Sequence, residues 1–90
     1  MNRNVSFVGK LQQEAKTGRK IYIPKNAARY ANLEIKDEVK VKLPDFEDRE
    51  FEAEIRREGK GGYKIYVKQV NLLDSGLDVG DLIQVELLEP

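Results

Sequence analysis

Histidine and cysteine are both absent from this 90-residue chain, and that decides much of what it can do. Their absence removes the commonest general base, the commonest metal ligand and the strongest neutral-pH nucleophile. What remains is carboxylate, lysine and backbone chemistry. Asp45, Glu47, Asp48 and Glu50 carry enough oxygens for a hard cation, but their spacing is not that of an EF-hand loop and no glycine turns it. A solvated linker is the better reading. Gly59-Lys60-Gly61-Gly62 could cradle a phosphate with backbone N–H groups, yet it lacks the full phosphate-loop pattern and opens no helix. A hairpin tip is the better reading there. No catalytic residue, cofactor or metal site is expected.

The positive charge is the strongest functional signal. Residues 1–30 hold seven bases against Glu14 alone, although the whole chain is neutral. Lys10, Lys16, Arg19, Lys20, Lys25 and Arg29 are the candidate nucleic-acid-binding residues. They would bind phosphates by charge, with affinity falling as salt rises. The competing reading is plain solvation of a small, heat-adapted domain, which 36% charged residues also fit. Tyr22 and Tyr66 could offer faces to bases, but strand alternation makes them half-buried barrel residues first.

The elements that must position these residues come in two copies. Shifting the chain by 44 residues, without a gap, pairs Phe7 with Phe51, Glu14 with Glu58, Lys16 with Lys60 and Gly18 with Gly62. It also pairs Lys20-Ile21-Tyr22 with Lys64-Ile65-Tyr66, and Asp37 with Asp81. Gapless register matters because a one-residue slip turns a strand inside out. Each copy reads strand, turn, strand, short helix, turn, strand. Alternation in Phe51, Ala53 and Ile55, and in Ile83, Val85 and Leu87, marks inward strand faces. Pro24 opens an Ala-rich helix that Asn32 caps in the left-handed conformation, with Gly76 as its counterpart after a weaker helix over 70–75. Asp37 and Asp81, the second beside Gly80, should each accept N–H bonds within their own turns.

One domain over 1–90 follows: repeat one at about 5–43, a linker at 44–48 and repeat two at about 49–87. Two half-units hide their unpaired edges by closing on each other. The expected fold is all-β with short helices, a six-stranded pseudo-twofold barrel built from two ββαβ repeats. A two-layer α+β sandwich is the alternative. No apolar run reaches membrane-span length and none resembles a signal peptide, so the expected location is cytoplasmic.

Gly18-Arg19-Lys20-Ile21-Tyr22-Ile23-Pro24-Lys25, then Ala31-Asn32-Leu33 and Asp37-Glu38-Val39, resembles the AbrB/SpoVT and MazE-antitoxin type of half-barrel. Gly80-Asp81 resembles the "GD box" of the wider cradle-loop barrels, which include the double-psi and RIFT barrels. The resemblance spans nearly the whole chain and implies a barrel completed within one chain, hence a monomer, from a thermophilic archaeon. Short first turns favour RIFT over double-psi. Two positions depart from the pattern: Lys36 stands where the box has glycine, and Lys68 where copy one has Pro24. The Asp-x-x-x-Arg motif of the duplicated MraZ regulators is absent from the matching helices. The resemblance implies a small non-enzymatic DNA- or RNA-binding or AbrB-like regulatory protein using the basic face of repeat one. The alternative it implies is a protein-interaction adaptor with no nucleic-acid role.

Overall fold

A computed structural model describes residues 1–90. The order is β1 (Val5–Glu14), β2 (Gly18–Ile23), α1 (Lys25–Ala31), β3 (Glu38–Leu43), β4 (Arg49–Glu54), β5 (Arg56–Glu58), β6 (Gly62–Val67), a 3₁₀ turn (Gln69–Leu72) and β7 (Leu82–Leu88). The strands form one sheet in the order β4-β3-β7-β1-β2-β6-β5, every pair antiparallel, which curls into a half-barrel. No helix is long and apolar enough to cross a membrane.

Seven strands are present where six were expected, because the first strand of repeat two is divided at Ile55. There the backbone leaves β3 and picks up β6. The Ile55 N–H donates to Asp37 O (2.8 Å), and Ile55 O accepts from the Lys36 N–H (2.8 Å). Leu11, 44 residues earlier, makes the same two bonds with Asp81 (2.9 Å) and Gly80 (2.7 Å) inside an unbroken β1. The ladders repeat at the same offset. Gln12 faces Lys20 and Arg56 faces Lys64; Phe7 faces Val85 and Phe51 faces Val41. Ile21 faces Ile65 directly, so the β2–β6 ladder relates the repeats to each other.

The curl encloses a wholly apolar core with no buried polar or charged residue. Leu11, Ile21, Ile55, Ile65, Val85 and Leu87 are fully buried. They come from alternate positions of their strands, as the two-residue side-chain period requires. Gly9 lies where a Cβ would sit 2.5 Å from Ile21 Cγ2, so β1 crosses β2 at a spacing that only glycine allows.

Alpha-helix α1 closes one end. It buries Ala27, Ala28 and Ala31, and small side chains let it lie close to β1. Asn32 ends it with φ 53° and ψ 51°. The Asn32 N–H donates to Arg29 O (3.1 Å) and the Leu33 N–H to Ala28 O (2.9 Å), the paired bonds of a Schellman cap. At the equivalent place in repeat two the expected helix is only the 3₁₀ turn, with no buried residue. Asn71 and Ser75 are poorer helix formers than Ala27 and Ala31, which they replace. Arg49 also takes the carbonyls of Asn71 (3.0 Å) and Leu73 (2.7 Å), which removes the need for a helical ladder.

Candidate functional site: a basic groove at the α1 end

The six basic residues singled out in the sequence do not form one face. Lys20 is withdrawn first. Its Nζ lies 2.9 Å from Glu14 Oε2 and 3.9 Å from Glu58 Oε2, while Lys64 Nζ lies 2.8 Å from Glu58 Oε2 and 3.8 Å from Glu14 Oε2. This four-membered ring joins the two repeats on the outer side of the β2–β6 ladder. The lysine side chains are only 15% and 12% exposed. The shorter contact of each lysine, at 2.9 and 2.8 Å, is at hydrogen-bond distance, and both Oε2 atoms are shut off from solvent.

The charges still act on one another. Contact with Lys20 holds the Glu14 carboxyl below its usual range, and Lys64 does the same for Glu58; partial desolvation opposes both. The same contacts raise the two lysines above their ordinary value. Each lysine also lies over its own repeat's tyrosine, Lys20 at 5.0 Å from the Tyr22 ring centre and Lys64 at 4.9 Å from that of Tyr66. Those ring faces are therefore occupied by cations. Residue composition did not single out Glu14, Glu58 or Lys64. The available signal was the recurrence of a charged pair at outward positions in both copies.

The antiparallel β2–β6 ladder separates the rest. Arg19 pairs with Val67, so the first hairpin tip, with Lys16, lies toward the 3₁₀ turn of repeat two. Ile23 pairs with Tyr63, so the second hairpin tip, with Lys60, lies toward α1. Lys10 stands apart, exposed on β1 opposite Leu82. Lys16 and Arg19 remain at that first tip, and Lys25 and Arg29 remain together on α1. The latter two are one helical turn apart, exposed, and in no ion pair.

These two line a groove of about 290 Å³ with Ala28, Asn32, Leu33, Gly61 and Tyr63. No acidic residue lines it. Asn32 reaches it because the αL cap turns the chain there, and Gly61 because the β5–β6 hairpin is long enough to meet α1. Arg57 pairs with Tyr63 across that hairpin and shares its face. Arg57 and Tyr63 were not among the sequence candidates. Their place depends on a pairing between repeats that only the register reveals.

Asp37 Oδ2 accepts the Glu34 N–H at 2.9 Å, and Asp81 Oδ2 accepts the Asp78 N–H at 2.8 Å. Asp37 also meets the Met1 amino group at 2.7 Å, which holds its carboxyl below the usual range. Gly76 and Gly80 have φ of 74° and 99°, and Lys36, in the glycine position of repeat one, has 77°.

The 3₁₀ end has a different surface. Leu73 replaces Arg29 and Gln69 replaces Lys25, and Val70, Leu73 and Val79 are exposed there. No family model matches the chain, and no curated protein matches its sequence.

Proposed function

We propose that this protein is a small non-enzymatic nucleic-acid-binding protein that contacts phosphates at the α1 end of repeat one. The carrying observation is the groove itself: two exposed, unpaired cations one turn apart, with no carboxylate in the lining. Cations held clear of internal partners keep their attraction for an external anion, and phosphate contacts supply sequence-independent affinity. The reading narrows the basic face to Lys25 and Arg29, with Lys10, Lys16 and Arg19 adding long-range attraction.

The fold belongs to the same proposal: a closed, pseudo-twofold cradle-loop barrel of the RIFT kind, related to AbrB-like half-barrels. Three features support it. Ile55 alone separates β4 and β5, the two outer strands of the sheet order. The ladders repeat at an offset of 44 residues. Both first turns are direct hairpins, with no strand between their arms. A monomer in the cytoplasm of a thermophilic archaeon is the matching setting.

The test is titration of short DNA and RNA duplexes and single strands at rising salt, with Lys25→Glu/Arg29→Glu as the comparison. Binding by the parent that weakens with salt and vanishes in the variant supports the reading. No binding at low salt sinks it.

A second reading, an adaptor for another protein, is favoured by the apolar surface at Val70, Leu73 and Val79. Capture of a defined protein that is lost in Leu73→Lys, with no nucleic acid bound, would favour it.

A further inference from the structure

The second hairpin tip carries an unused set of donors at the edge of the same groove. Gly59, Lys60 and Gly61 lie outside the strands, and their backbone N–H groups make no hydrogen bond within the protein. Gly59 and Gly61 both have positive φ, 58° and 73°, on either side of Lys60. Alternation of this kind turns successive N–H groups toward one side, the arrangement of an anion-binding nest. The space over both glycines is open: a Cβ on either would meet no atom within 4 Å.

We propose that this tip is the other half of the α1 groove, and that one phosphate group is held between the N–H groups of residues 59–61 and the side chains of Lys25 and Arg29. The proposal rests on the phosphate-contact reading of α1, and extends it to a site made jointly by the two repeats. Pairing of Ile23 with Tyr63 delivers the tip to the helix, and Gly61 lines the groove with both cations. Lys60 and Arg57 add charge from the same hairpin, and neither is in an ion pair. The equivalent first tip differs. It has Ala15 and Thr17 in place of the glycines, its carbonyls at Ala15 and Lys16 accept from Gln13 Nε2, and it faces a turn with no cation at the Lys25 and Arg29 positions. Only one of the two related places is therefore built for an anion. The ligand is a phosphate monoanion or dianion, supplied free or as a nucleic-acid diester.

The experiment follows backbone amide resonances of the full chain while inorganic phosphate, and separately a short oligonucleotide, is added. The amides of residues 59–61 and 25–29 should shift together with one dissociation constant, and those of residues 15–17 should stay in place. Phosphate shifting both segments identifies free phosphate as sufficient; the oligonucleotide alone doing so identifies the diester as the source. Lys25→Gln/Arg29→Gln, which alters two exposed side chains, should weaken the tip's response about tenfold or more. Shifts confined to α1 would overturn the joint site while leaving the phosphate-contact reading intact. Tip shifts that persist undiminished in the variant would overturn it equally, because the tip would then bind alone. A tip silent to both probes would also overturn it.

Discussion

The two ends of the molecule share a ladder and differ in what caps it. At one end α1 packs three alanines onto the sheet and presents Lys25 and Arg29. At the other, Asn71, Leu72 and Ser75 stand at the alanine positions, the backbone makes a single 3₁₀ turn, and Leu73 is exposed. Between them the strands keep the same register and the same aspartate turns. The constraint thus falls where a change would unpair strands or bury a polar group. The caps lie outside the ladders, at the ends of the sheet, and could diverge. Specialised chemistry is accordingly sought at the caps, and the repeated parts are read as architecture.

The largest expected effect tests a place where the two ladders are packed differently. Gly9 meets Ile21 at a spacing that excludes a Cβ, whereas its counterpart is Ala53. Gly9→Ala should destabilise by about 1–3 kcal/mol through overpacking, and Ala53→Gly by about 0.5–1 kcal/mol through backbone entropy alone. Chemical denaturation of both variants measures the difference. Equal costs would mean that the two crossings are not distinct.

The aspartate turns offer a smaller contrast. Lys36 holds a left-handed conformation at a cost that glycine avoids in Gly80. Lys36→Gly should gain roughly 0.5–1 kcal/mol, and Gly80→Lys should lose roughly 1–2 kcal/mol. A loss in both variants would show that Lys36 has a compensating contact.

The ion-pair ring joining the repeats predicts a pH dependence rather than a fixed increment. Glu14 and Glu58 titrate below their ordinary value in the fold, so their contribution is complete above that value and is lost as pH falls through the lower, folded one. Lys20 and Lys64 titrate above theirs, so their contribution is complete below about pH 10.4, the unfolded value, and is lost as pH rises through the higher, folded one. Melting temperature should be level across neutral pH and fall on the acid side. Glu14→Gln/Glu58→Gln should flatten that acid limb, leaving the part that Asp37 supplies. An unchanged acid limb would remove the ring from the account.

Much of the fold was legible because it depends on short-range rules. Alternation placed the strands, Pro24 and Asn32 bounded α1, and Asp37 and Asp81 closed their turns as residue type suggested. The helix over 70–75 was overread. Similar spacing hid weaker propensity, and the guanidinium of Arg49 arrives from a strand the local sequence does not reveal. The site was legible only in part. Lys25 and Arg29 lie on one helix, so their proximity is local. Lys20 is held first by Glu14 across its own hairpin, but its second carboxylate, Glu58, lies 38 positions away, and the company of Lys16 depends on strand direction between repeats. Such facts follow from register across the whole chain, and composition carries no trace of them.

The most direct measurement of the central claim sets the two ends against each other. Oligonucleotide affinity would be followed against salt for the parent, for Lys25→Gln/Arg29→Gln and for Lys16→Gln/Arg19→Gln. The account predicts that the first pair lowers affinity and reduces the slope of log affinity against log salt by about 0.9, the value for the one phosphate that both side chains hold on duplex DNA. It predicts that the second pair leaves the slope nearly unchanged. Equal losses from both pairs, or a larger loss from the second, would contradict it.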